Sequence, residues 1–247
     1  MPPTLILVRH AQALHNVDRD YTIHDPELSE LGRKQCEELH QNILSRIGPH
    51  DLDVGLIIVS PMRRTIETAL LAFPELIAKD VPIRAHADWQ ENSSQACDIG
   101  SPLTSLKREF PQVDFSHVDP VFPDKLSPAG ARYASTRRAI LARGQSVLRE
   151  LRERPEKAII VVSHSGFLRA GVTGQWFMNA DYRIFDFVET RGPADGSDVP
   201  VLKQRSETIK GGMGWSWDTT VPLGDGLPDE LPDGLPDGVA VNAATTA

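Results

Sequence analysis

The sequence predicts a three-layer α/β/α sandwich, with a mostly parallel central sheet and helices on both of its faces. Unbroken apolar runs at Leu5–Val8, Leu56–Val59 and Ile159–Val162 lack polar alternation, as suits strands covered on both sides. Helix-period patterns separate these runs, which is the strand-helix alternation of a parallel sheet. The 247 residues, 40% hydrophobic and 24% charged, have the ordinary make-up of a globular chain long enough to bury such a core.

In chain order, Leu5–Val8 is the first buried strand. Ser29 then caps a helix carrying Leu31, Leu39, Ile43 and Ile47 at turn-like spacing. After the strand at Leu56–Val59, a second helix begins at Pro61 and runs through Ile66, Ala69 and Leu70. Pro82–Arg84 and Ile184–Val188 read as short edge strands. From about residue 90 to 125 the periodicity fades and Pro, Ser and Asp gather, which predicts a loop-rich insertion over one face of the sheet, a common place for specificity. A long helix is expected from Ser127-Pro128, with Ile140, Leu141, Val147, Leu148 and Leu151 as its apolar stripe, before the strand at Ile159–Val162. Residues 1–220 thus form one domain. Residues 221–247, with a short Leu-Pro-Asp repeat, read as an acidic Pro/Gly-rich tail too poor in apolar residues to fold.

Composition narrows the function. Six of the 34 acidic residues lie beyond Lys210, where no Lys or Arg occurs, so the first 210 residues hold 28 acids against 26 bases. That balance argues against a nucleic-acid platform. No apolar run approaches the roughly 18 residues of a membrane span. Cys36 and Cys97 are too few for a disulfide framework and lack metal-ligand spacing, so they read as buried thiols. With no basic leader before the first strand, the expected location is the cytoplasm.

Chemistry gathers at the strand ends. Val8 runs into Arg9-His10, Val59 into Ser60-Pro61-Met62-Arg63-Arg64, and Val162 into Ser163-His164-Ser165-Gly166. In a parallel sheet these clusters emerge on one edge, where open α/β proteins bind ligands. Two imidazoles and two or three guanidiniums, with no carboxylate from the same strand ends, call for an anion, and phosphate suits the forked donors of arginine. Helix starts after Ser60 and His164 are expected to add backbone N–H groups to that anion site.

These residues match a known pattern. Arg9-His10 after a buried strand, Asn16 six residues beyond His10, Asp25-Pro26-Glu27-Leu28-Ser29-Glu30-Leu31-Gly32, Ser60-Pro61-Met62-Arg63-Arg64-Thr65-Ile66-Glu67-Thr68-Ala69 and Ser163-His164-Ser165-Gly166-Phe167 together resemble the histidine phosphatase superfamily, or phosphoglycerate-mutase-like family. The resemblance spans roughly residues 4 to 190. It implies a catalytic domain in which His10 attacks phosphorus while Arg9, Arg64, Asn16 and His164 hold the phosphoryl oxygens, with no metal or cofactor. Arg64 takes the family position, and Arg63 is expected to face solvent or stand behind the site. Glu91 resembles the family's proton donor, a role that asks for a raised pKa. Asp88 and Asp98 are its rivals.

Two departures stand out. The family's glycines after the two histidines are Ala11 and Ser165 here. Alanine fits if φ is negative, and Ser165 can donate to a phosphate oxygen or cap the helix. The Glu-Arg-x-Tyr-Gly type of segment found in glycolytic mutases is missing, since Glu91 is followed by Asn92-Ser93-Ser94. Ala13 stands where secreted acid phosphatases carry arginine. The resulting expectation is a metal-independent phosphatase acting on a small phosphate monoester. The alternatives are a phosphoglycerate-type mutase and a catalytically altered relative serving as an anion-binding scaffold or metabolite-tailoring enzyme.

Overall fold

A computed structural model of the chain describes residues 1–46, 52–188 and 200–229. Six strands, β1 (Thr4–Arg9), β2 (Val54–Val59), β3 (Ile83–Ala85), β4 (Ala158–Ser163), β5 (Tyr182–Val188) and β6 (Val201–Gln204), form one sheet in the order β3-β2-β4-β1-β5-β6. The first four are parallel neighbours, while β5 pairs antiparallel with β1 and β6 pairs antiparallel with β5. The helices are α1 (Leu14–Val17), α2 (Glu30–Arg46), α3 (Arg63–Ala72), α4 (Pro74–Ala78), α5 (Leu103–Glu109), α6 (Arg137–Arg152) and α7 (Ser165–Phe167).

The unbroken apolar runs have the predicted cause. Ile6, Val8, Ile57, Val59, Ile160 and Val162 pack in one core with Leu39 of α2 and Ile66 of α3. Their neighbours Leu5, Leu7, Leu56, Ile58, Ile159 and Val161 pack in a second core with Ile140 and Val147 of α6. Burying both faces of three central strands removes the need for a polar face.

Several boundaries differ from expectation. The long helix starts at Arg137, where the Thr136 side chain caps it by accepting from the Ala139 N–H; Pro128–Tyr133 is a separate 3₁₀ turn. The second helix starts at Arg63, two residues after Pro61. Leu31 is 50% exposed and contributes little to the stripe of α2, and Ile47 lies outside the described residues. Strand β5 is internal, lying between β1 and β6. Strand β6 carries no periodic signature in the sequence because it is four residues long and half-exposed. The insertion is mostly loop but includes α5, and it adds Leu106, Phe110, Val113, Phe115, Val118 and Phe122 to the first core. The chain stays packed to Asp229: Val221 N–H donates to the Gly174 carbonyl, and the Pro228 carbonyl accepts from Arg137 N–H. The rest of the expected tail, 230–247, lies outside the described residues.

Candidate active site

Strand register brings the clusters together. Arg9 pairs with Ser163 across β1 and β4, so His10 and His164 leave the sheet side by side, with ring centroids 5.2 Å apart. The His10 N–H donates to the Ser163 carbonyl at 3.0 Å. On the other flank of β4, Val59 pairs with Val162, which places Ser60 at the same edge.

Arg64, in the first turn of α3 and fully buried, reaches between the two imidazoles. Its Nη1 donates to the Cys97 carbonyl at 2.6 Å and its Nη2 to Asp98 Oδ1 at 2.9 Å. Longer bonds run from Nε to His10 Nε2, 3.3 Å, and from Nη2 to His164 Nδ1, 3.1 Å. The insertion therefore anchors one side of the guanidinium and leaves the other facing the histidines. Arg9 is held by its Nη1, which donates to the Phe177 carbonyl at 2.9 Å, while its buried Nε has no partner. Burial pushes the Arg9 guanidinium down to about 10, opposed by the nearby Glu91 carboxylate. Arg63 turns outward to Glu109.

The contacts fix both tautomers. The Ala11 carbonyl lies 2.7 Å from His10 Nδ1, so the proton sits on Nδ1 and the Nε2 lone pair faces Arg64. His164 accepts from Arg64 at Nδ1, so its Nε2 carries the proton and donates to Ser60 Oγ at 2.9 Å. Burial, then the Arg64 charge, holds both imidazoles well below their usual range, so both are neutral near pH 7.

Glu91 sits at the start of α7. Its Oε2 accepts from Gly166 N–H at 2.9 Å, and its Oε1 accepts from Phe167 N–H at 2.7 Å and Asn92 N–H at 2.8 Å. This contact requires Gly166, because a Cβ there would stand 2.5 Å from Glu91 Oε1. The first N–H of α3, on Arg63, is likewise taken by Asp25 Oδ1 at 3.1 Å. At these helix starts the Arg63, Gly166 and Phe167 N–H groups are therefore taken by the protein's own carboxylates, which narrows the expectation that the helix starts donate to a bound anion. Of the rival acids, Asp88 is paired with Arg132, and Asp98 is held within the site by Arg64 and Ser93.

Ala11 and Ser165 are not among the positive-φ residues, so neither departure strains the backbone. Ala11 N–H donates to Thr68 Oγ1 at 3.0 Å, and Ser165 Oγ shares the Phe177 carbonyl with Arg9, at 3.4 Å. Asn16 Oδ1 accepts from Ala13 N–H at 3.1 Å, which turns its Nδ2 toward His15 Nε2 at 3.0 Å. His15 and Asn179 were missed in the sequence. His15 stands with its ring 5.9 Å from that of His10, and Asn179 Nδ2 donates to the His10 carbonyl at 3.1 Å. The proximity of His15 to Asn16 was the available signal; nothing marked Asn179. Among the described residues, no group of His, Cys, Asp and Glu is placed to hold a metal ion, and no helix is long and apolar enough to cross a membrane.

Burial, with Arg64 second, lowers His15 to about 4. The unfolded chain, with histidine near the usual 6.5 or so, then binds more protons between these values, so stability is complete above about 6.5 and declines as pH falls toward 4. His15→Gln removes one such group. The stability gap between variant and parent should shift in the variant's favour by about 1.4 kcal/mol per pH unit from pH 6 to 5. Urea unfolding at several pH values measures this, and a gap independent of pH would show that His15 is not held neutral.

The chain is similar to several known proteins. A relative named Probable phosphatase, from Schizosaccharomyces pombe, is 35% identical over 176 residues, covering 67% of this chain and 76% of its own. Phosphoglycerate mutase-like protein 1 of Arabidopsis thaliana is 33% identical over 199 residues, covering 67% and 69%. The ecdysone phosphate phosphatase of Bombyx mori, solved with tungstate, shares the fold with a TM-score of 0.51 at 13% identity, over 77% of this chain and 93% of that one. The family model described as histidine phosphatase superfamily (branch 1) matches residues 5–184. With its paired histidines and buried arginine at one sheet edge and this match across most of its length, the chain belongs to the histidine phosphatase superfamily, branch 1.

Proposed function

We propose that this protein is a phosphatase that hydrolyses a small phosphate monoester through a phosphohistidine on His10, with Glu91 as general acid. The observation that carries the reading is the committed tautomer of His10. Its Nδ1–H is held by the Ala11 carbonyl, so the Nε2 lone pair is presented beside Arg64 and His164. A neutral imidazole held in this orientation needs no base to activate it.

The incoming phosphoryl group takes over the Arg64 Nε and Nη2 donors from the histidines, since those bonds are the long ones, and it supplies the missing partner of Arg9 Nε. Nε2 attacks phosphorus, the P–O bond to the leaving group breaks, and Glu91 delivers a proton to the departing oxygen. Water then attacks the phosphohistidine, giving its proton to Glu91 and releasing phosphate. His10 keeps its Nδ1 proton throughout. Ser165, whose hydroxyl shares the Phe177 carbonyl with Arg9, and Asn16, hydrogen-bonded to His15, are assigned to the rest of the oxygen shell.

Rapid quench of a reaction with ³²P-labelled aryl phosphate tests this. Expected is a burst of label on the protein that is stable in base, labile in acid and mapped to His10. Hydrolysis without labelled protein during a verified burst would reject the covalent route.

A further inference from the structure

The loop that carries Glu91 is held in an unusual way. Residues Asp88 to Ser93 belong to no ladder beyond one short turn, yet each of their six carbonyls accepts from a side chain. Arg143 Nη1 serves Asp88 at 3.2 Å and Gln90 at 3.0 Å. Ser163 Oγ serves Trp89 at 2.8 Å, and Ser135 Oγ serves Asn92 at 2.6 Å. Lys125 Nζ, from the insertion, serves Glu91 at 2.8 Å and Ser93 at 3.0 Å.

Two of these donors are buried cations, Arg143 at 1% exposure and Lys125 at 2%, and their hydrogen bonds go to neutral carbonyls and the Asn92 amide. Burying charge this way is costly and a poor route to stability. Burial pushes the Lys125 ammonium down to about 7, with Asp98 and Glu91 opposing and Arg143 and Arg64 adding to the shift. The Arg143 guanidinium also lies 4.4 Å from the ring centroid of Phe167, whose N–H binds Glu91. Both cations thus grip the backbone on either side of one carboxylate.

We propose that Lys125 and Arg143 are positioning residues for Glu91, fixing its loop by the carbonyls so that the carboxylate stays at the start of α7 beside His164. The inference rests on the reading of Glu91 as the general acid.

Lys125→Met and Arg143→Met keep an apolar stem and remove the donor. The readout is kcat/KM for an alkyl phosphate, whose leaving group needs a proton, relative to p-nitrophenyl phosphate, whose leaving group does not. Each variant should lower this ratio by about tenfold, a fraction of the roughly 10² to 10⁴ available to general acid catalysis. Partial unfolding cancels, because both substrates are assayed on one preparation. Glu91→Gln should lower the ratio further, and adding Lys125→Met to it should change nothing more. A ratio lowered by Glu91→Gln but unmoved by both methionine variants overturns the positioning role and leaves the acid in place. If Glu91→Gln itself leaves the ratio unmoved, the acid reading falls and the positioning role with it.

Discussion

Replacing His10 with alanine should lower hydrolysis of aryl and alkyl phosphates alike by at least about 10⁴-fold, since the nucleophile serves every substrate, whatever its leaving group. Arg9 and Arg64, the cations the proposal assigns to the phosphate, remain, so inorganic phosphate should inhibit or bind within about tenfold of the parent, because removing one neutral ring costs little charge complementarity. This separation of turnover from binding distinguishes the nucleophile from a residue that merely shapes the site. Steady-state assays on both ester types, with phosphate binding followed calorimetrically, make the comparison. Substantial turnover by His10→Ala would reject His10 as the phosphoryl acceptor, whereas joint loss of turnover and phosphate binding would point to collapse of the pocket.

Much of this site was legible because it is built from strand ends. An apolar run fixes a strand, a parallel sheet fixes which ends share an edge, and the residues immediately beyond, Arg9-His10 and Ser163-His164, then have only one place to be. Arg64 was legible from its place in the Ser60–Ala69 segment that resembles the family, and it lies in the first turn of α3. What the sequence could not give were partners supplied from a distance without periodicity. The Asp98 carboxylate that anchors Arg64 and the Lys125 amine that holds the Glu91 carbonyl both come from the insertion, where no pattern sets their direction. The absence of a neutralising carboxylate was true of the strand ends alone. The helix starts were legible as donor sites, but their occupants, Glu91 and Asp25, depend on loop paths that only coordinates reveal. The β5-β6 antiparallel edge escaped for a related reason: a four-residue, half-exposed strand leaves no hydrophobic signature.

Arg64→Met should have the second largest effect, and it should act on catalysis and folding together. The guanidinium contacts both imidazoles on one side and the Cys97 carbonyl and Asp98 on the other, with the arginine fully buried. Losing an arginine that neutralises a transferring phosphoryl group typically costs about 10³ to 10⁵ in rate, and kcat/KM on an aryl phosphate should fall within that range. The same change leaves Asp98 buried with Ser93 as its hydrogen-bonding side chain, and stripping one member from a buried pair costs about 3 to 5 kcal/mol. Arg64 is also the second cause, after burial, of the depressed His10 and His164 pKa values. Without it both should rise toward 6.5 or so. The unfolded chain then exceeds the folded one in bound protons over a narrower interval, so the variant's stability should fall less steeply as pH drops below 6.5 or so than the parent's does. Any residual turnover should in turn lose activity at a higher pH, because protonated His10 has no lone pair to offer. Urea unfolding and pH–rate profiles measure the two effects separately. A rate loss below tenfold would remove Arg64 from the phosphoryl site, and an unchanged acid limb with the expected rate loss would show that burial alone keeps the histidines neutral.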